Sequence, residues 1–169
     1  SDEAASPANG GGGDAAPGLT PGYAAPEQLL GQPVTTATDV YALGLVLFVL
    51  LAGRHPAAPE QMQTRSELVR FTLETEPPRL SEVVDSRQAR LLQGDLEAIV
   101  TKAIDRDPLR RYTTAELFAQ DLQRYLALEP VAARPRSFGY KLSKFVRRNR
   151  GAVLGGSTAM LAVLLTSGF

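Results

Sequence analysis

The amino-acid sequence predicts a mainly α-helical fold followed by a single helix that crosses a membrane, and three observations predict it. Apolar residues recur at helical spacing in several segments. No segment alternates apolar and polar residues as a half-buried strand does. Residues 151–169 run for nineteen positions without a charge, and about 18 or more such residues reach the length that spans a bilayer. A buried helix of a soluble domain is the other reading of that run.

The elements follow in chain order. Ser1 to Gly18 has no aromatic or large aliphatic residue and four consecutive glycines, so it buries too little apolar area to offset its ordering entropy and reads as a flexible loop or a linker. Thr38 to Gly53 is a helix whose last twelve residues, from Ala42, are uncharged. That run is too short to cross a bilayer and is apolar all round, which predicts burial in a protein core, with Gly53 as the stop and Pro56 beyond it. Thr64 to Thr75 is a shorter amphipathic helix with Leu68, Phe71 and Leu73 inward, ended by Pro77 and Pro78. From Asp95 to Ile104, Leu96, Ile99, Val100, Ala103 and Ile104 share one helical face, and Asp95 is the expected N-cap. Thr113 to Ala127 opens with Thr113-x-x-Glu116, a capping-box pattern, and carries Phe118, Leu122, Tyr125 and Leu126 as its apolar residues.

Charge is balanced, with 18 Lys+Arg against 18 Asp+Glu, which argues against a generally nucleic-acid-binding chain. Its distribution is uneven: Arg134 to Arg150 holds seven basic residues and no acidic one. There is no cysteine, so disulfides and thiolate metal sites are excluded.

Three motifs stand in order. Leu19-Thr20-Pro21-Gly22-Tyr23-Ala24-Ala25-Pro26-Glu27 resembles the end of a protein-kinase activation segment. Twelve residues after Glu27 comes Asp39-Val40-Tyr41-Ala42-Leu43-Gly44, similar to the kinase pattern Asp-x-Tyr/Trp-Ser/Ala-x-Gly. Asp107-Pro108-Leu109-Arg110-Arg111-Tyr112 resembles the later kinase pattern Asp-Pro-x-x-Arg-Tyr. A second Ala-Pro-Glu, at Ala58-Pro59-Glu60, has neither flank. Residues 19–128 are therefore identified by resemblance as the helical C-lobe of a bacterial-type serine/threonine protein kinase, residues 1–18 as the remainder of its activation loop, and 129–150 as a basic juxtamembrane linker.

The resemblance implies roles residue by residue. Glu27 pairs with Arg111 and ties the substrate-binding loop to the lobe. Asp39 accepts hydrogen bonds from the catalytic-loop backbone; capping its own helix is the alternative. Tyr41 and Gly44 belong to the same structural motif. Thr20 helps place the incoming hydroxyl, and Pro21, Gly22 and Tyr23 form the wall next to the residue that follows the phosphoacceptor, so protein substrates are the expected partners. The commoner pattern has glycine immediately before this threonine, whereas Leu19 stands here. Ser1 and Ser6 are the only hydroxyls before Thr20.

Phosphoryl transfer needs a glycine-rich loop over the phosphates, a strand lysine, a catalytic Asp with its Asn, and a magnesium-binding Asp. No His-Arg-Asp or Asp-Phe-Gly occurs, and Gly10 to Gly13 lacks the spaced glycine pattern. The only histidine, His55, reads as a loop residue. The resemblance implies ATP and magnesium for a parent enzyme, with none bound by residues of this segment. The expectation is a fragment of a longer kinase that is inactive alone; the alternative is a catalytically empty docking or scaffold module.

Lys141, Lys144, Arg147, Arg148 and Arg150 precede the uncharged run. The positive-inside rule then puts the lobe in the cytoplasm, on a single-pass cell-membrane protein, with these residues at anionic lipid headgroups. Ala152 with Gly156 and Gly155 with Ala159 form small-xxx-small pairs that point weakly to a homodimer through this helix. A nucleic-acid partner is not expected.

Overall fold

The structure, a computed structural model, describes residues 21–135 and 138–148. The expected loop at 1–18, Thr20 and the uncharged run at 151–169 lie outside the described residues. Within them there are eight α-helices and no strand: α1 Pro26–Leu29, α2 Thr36–Ala52, α3 Arg65–Glu74, α4 Leu80–Val83, α5 Ser86–Leu92, α6 Asp95–Ala103, α7 Ala115–Leu126 and α8 Phe138–Arg148. No helix among the described residues is long and apolar enough to cross a membrane.

The lobe is built around α2. At its start the Thr38 hydroxyl accepts the N–H of Thr35 at 3.1 Å. At its end Gly53 takes the left-handed conformation (φ 69°) and its N–H reaches the Val49 carbonyl, a cap that glycine adopts without strain. One face of α2 packs on α6 so closely that a Cβ on Gly44 would lie 2.8 Å from both Ala103 Cβ and Ile104 Cγ2. Two core clusters share this contact. Tyr41, Leu45 and Phe48 meet Ala25, Leu80, Val100 and Ile104, while Val40 meets Ile99, Ala103, Tyr112, Phe118 and Val131. Fully burying a side chain such as Phe48 or Ile99 contributes roughly 1.5–3 kcal/mol. A third, small cluster joins Leu68 and Phe71 of α3 to Ala57; Leu73 is only half-buried.

The structure corrects several local expectations. The helix α2 is buried on one side only, because Leu43, Val46 and Leu50 are exposed. Gly94, not Asp95, precedes α6 as its cap, with φ 107°, a conformation that favours glycine; the Asp95 carboxylate is spent elsewhere. The Thr113/Glu116 capping box is displaced: Thr114 caps α7 through the Leu117 N–H, and the Thr113 carbonyl instead accepts the Thr36 hydroxyl at 2.6 Å. A reciprocal box forms at α3, where Thr64 and Glu67 exchange backbone-to-side-chain bonds of 3.0 and 3.1 Å. Leu126 is exposed rather than inward.

Two short helices carried no periodic signal. α4 buries Leu80 and is held to α6 by Ser81, whose N–H and hydroxyl both donate to Glu97 Oε1. α5 is capped by Asp85, which accepts the N–H groups of Arg87 and Gln88. The fold also continues past residue 128, where a linker was expected. Val131 is buried in the second cluster, and Asp121 of α7 accepts the backbone N–H groups of Ala132 and Ala133 at 2.7 and 2.9 Å.

Candidate functional site

The sequence Ala-Pro-Glu-Gln occurs twice and opens a short helix each time, α-helical at Pro26–Leu29 and 3-10 at Pro59–Met62. Proline opens each turn, and the glutamine side chain reaches back to the alanine N–H, Gln28 to Ala25 and Gln61 to Ala58, both at 2.9 Å. What differs is the glutamate. Glu60 is exposed, whereas Glu27 is buried.

Glu27 lies against Arg111, 84 residues away, in a bidentate pair: Nη1 to Oε1 at 2.8 Å and Nη2 to Oε2 at 2.9 Å. The Thr38 hydroxyl donates to Oε1 at 2.8 Å. Arg111 also donates from Nε to the Asp105 carbonyl at 2.6 Å, from Nη1 to Ala37 at 3.0 Å and from Nη2 to Arg106 at 3.2 Å. All five guanidinium N–H groups are thus engaged. Burial pushes the Glu27 carboxyl up, but the Arg111 hydrogen bond, its backbone bond and Thr38 outweigh this and hold it below its ordinary value. Beneath the pair, the Tyr41 ring lies 4.6 Å from the Arg111 guanidinium carbon. Burial chiefly raises the Tyr41 phenol to about 12. One buried knot thereby joins α1, the start of α2 and the Asp107–Arg111 turn.

Asp39 is exposed and closes the first turn of α2, which Thr35 opens as the N-cap residue. It therefore does not cap this helix. Its helical stripe continues through Leu43, Val46 and Leu50, so the carboxylate heads an uncovered apolar face.

Pro21–Tyr23 form a 3-10 turn ahead of α1. It is braced by His55, which stands in the loop after α2. Its Nδ1 accepts the Ala57 N–H at 3.1 Å, which puts the proton on Nε2, and Nε2 donates to the Gly22 carbonyl at 2.8 Å. Tyr23 packs edge-on against the imidazole, centroids 5.9 Å apart. Burial lowers the His55 pKa, opposed by the Gly22 carbonyl. The one sequence signal for this contact is a solitary histidine just after a helix stop.

Two further buried carboxylates organise the C-terminal side. Asp121 accepts the Tyr112 hydroxyl at 2.9 Å and Arg124 Nη1 at 3.1 Å besides its two backbone amides. Asp95 pairs with Arg134 and with Lys144. Burial pushes each carboxyl up, and these donors bring both below their ordinary values. Lys144, expected at the lipid surface, is instead buried on Asp95. The side chains of Lys141, Arg147 and Arg148, and all of Arg150, lie outside the described residues. Among the described residues no cluster of His, Cys, Asp and Glu could hold a metal ion.

This helical lobe, closed by a buried Glu–Arg pair between two of the three motifs, is matched by the family model described as "Protein kinase domain" over residues 10–122. The chain belongs to the protein kinase domain family. It is 37% identical over 97 residues to serine/threonine-protein kinase PknJ of Mycobacterium tuberculosis, covering 57% of this chain and 15% of that protein. To serine/threonine-protein kinase Pkn1 of Myxococcus xanthus it is 37% identical over 108 residues, 64% of this chain and 14% of the relative. PknD of Chlamydia pneumoniae matches at 30% over 145 residues, 85% of this chain and 15% of that kinase. The chain thus spans only about one-seventh of these relatives' length. Among solved structures, the twitchin kinase region from C. elegans superimposes with TM-score 0.49 at 22% identity, covering 72% of this chain and 18% of that one.

Proposed function

We propose that the chain is the substrate-side lobe of a membrane-anchored serine/threonine protein kinase that transfers the ATP γ-phosphate, with magnesium, to Ser or Thr of proteins. The observation that carries this reading is the bidentate Glu27–Arg111 pair, which joins the end of the activation-segment motif to the later Asp-Pro-x-x-Arg-Tyr motif. Its relatives' names supply the residue class phosphorylated. Pro21, Gly22 and Tyr23, braced by His55, form the wall next to the residue that follows the phosphoacceptor, and Thr20 helps place the acceptor hydroxyl. Asp39 holds the catalytic loop, and the apolar stripe behind it is the surface that the remainder of the catalytic domain covers. The run at 151–169 crosses the cell membrane once, the lobe lies on the cytoplasmic side, and the basic residues outside the Asp95 pair meet anionic headgroups.

The groups that bind nucleotide and metal are not in these residues, and catalysis of this kind is mostly positioning and charge stabilisation around them. The 169 residues alone are therefore expected to give no phosphotransfer and no magnesium-ATP binding by calorimetry. Saturable nucleotide binding would refute this division of labour. The gene product read upstream is expected to carry the catalytic Asp and Asn, the magnesium Asp and the strand lysine. Their replacement in an otherwise complete domain would favour the second reading, a docking module, which rests on the absence of those groups here.

A further inference from the structure

The helix α8 is attached to the lobe the wrong way round for an ordinary surface helix. Its anchor is Lys144, buried against Asp95 in the first turn of α6. Arg134 completes the clamp, with Nη1 3.1 Å from Asp95 Oδ1 and its guanidinium 5.0 Å from the centre of the Tyr140 ring. The Tyr140 hydroxyl accepts the Val131 N–H at 3.0 Å. The side of α8 that faces the lobe is therefore its polar side.

At about 100° per residue, positions 142 and 146 stand about 160° around the helix from position 144. Leu142 and Val146 are accordingly exposed, at 50% and 38%. Positions 138 and 145, both phenylalanine, fall on that outer half of the helix, whereas positions 141, 147 and 148, all basic, fall within about 60° of Lys144. A soluble helix turns its apolar stripe to the core. Leu142 and Val146 of α8 are instead turned away from it.

We propose that α8 lies in the plane of the membrane interface, its apolar flank in lipid and its Lys144 side clamped to the lobe. The inference rests on residues 151–169 spanning the bilayer. Only Asn149 and Arg150 separate α8 from that run, and two residues reach at most about 7 Å. The helix end is thus held at headgroup depth, where a basic amphipathic helix partitions its apolar side into the acyl boundary. The clamp then fixes the orientation of the lobe over the bilayer, so that the juxtamembrane segment acts as a mounting plate and not as a loose tether.

The chain contains no cysteine, so single reporters can be placed by Leu142→Cys, Val146→Cys, Met160→Cys and, as a lobe control at a fully exposed site, Leu109→Cys. Each full chain is labelled with a polarity-sensitive fluorophore and reconstituted in nanodiscs of phosphatidylcholine and phosphatidylserine. Blue-shifted emission and quenching by lipid-borne nitroxide are expected at positions 142, 146 and 160 and not at 109. Quenching at 160 with water-like emission at 142 and 146 would overturn the interfacial helix and leave the anchor standing. Loss of quenching at 160 would remove the anchor and the inference together. Disulfide crosslinking of two copies through position 142, without lipid quenching there, would show that a second chain covers this face and would also overturn it.

Discussion

Removal of Glu27 tests the reasoning most directly. In Glu27→Ala, Arg111 keeps its three carbonyl partners but loses both carboxylate bonds, and its side chain, with no measurable exposure, retains an uncompensated charge. Breaking one side of such a buried pair costs about 3–5 kcal/mol, against a total stability of about 5–15 kcal/mol for an ordinary domain. Arg111→Ala reverses the damage: it strands the Glu27 carboxylate and leaves the carbonyls of Ala37, Asp105 and Arg106 without that donor. Once one partner is gone, removal of the other relieves the stranded charge. The double variant is therefore expected to lose far less than the sum, with a coupling energy at or above the upper end of the usual range of about 0.5–3 kcal/mol. Urea unfolding followed by far-UV circular dichroism reads the cycle. Additive losses, to within about 0.5 kcal/mol, would show that the two residues do not act as a pair. Arg111→Lys is expected to rescue little, since an ammonium cannot reproduce the planar fork.

Further outcomes follow from the same contacts. Gly44→Ala drives a methyl group into Ala103 and Ile104 and is expected to cost about 1–3 kcal/mol by overpacking, seen as a lower urea midpoint with unchanged slope. Asp121→Ala leaves the buried Tyr112 hydroxyl without its acceptor, a loss of about 1–3 kcal/mol for a buried donor left unpaired, and it also releases the N–H groups of Ala132 and Ala133, where hydrogen exchange should accelerate. Glu27, Asp95 and Asp121 all have lowered carboxyl pKa values. Their stabilisation is full above the ordinary carboxylate range of about 4 and is lost as pH falls through the depressed folded values, so urea midpoints measured against pH should drop steeply on the acid side. His55 titrates lower when folded, so its brace is complete above about pH 6.5 and lost as pH falls through its folded value. Broadening of the Gly22 and Ala57 amide signals on acidification would register that loss, and unchanged signals would count against the assigned tautomer.

Much of the lobe was legible because the information is local. The helical repeat from Leu96 to Ile104 marks the buried face of α6, and Gly53 marks the end of α2. The short helices α4 and α5 are not legible in the sequence, because a single buried leucine, Leu80, and a single aspartate cap, Asp85, give no period. The role of His55 is hidden for a related reason: its partner is a carbonyl 33 residues away. Lys144 is indistinguishable in the sequence from the other lysines and arginines of its basic run, and only a buried carboxylate from another helix, Asp95, selects it.

The two Ala-Pro-Glu-Gln turns mark the boundary between the two kinds of information. Four residues suffice for a proline-initiated turn with a glutamine closing back on the alanine N–H, and both copies form it. The sequence also determined, by motif order, that Glu27 and Arg111 belong to one pattern. Only the packing of α1 against the start of α2 and the Asp107–Arg111 turn excludes water from the first glutamate and leaves Glu60 in it. A carboxylate left in water gains little from any partner, whereas one enclosed with a guanidinium must be paired.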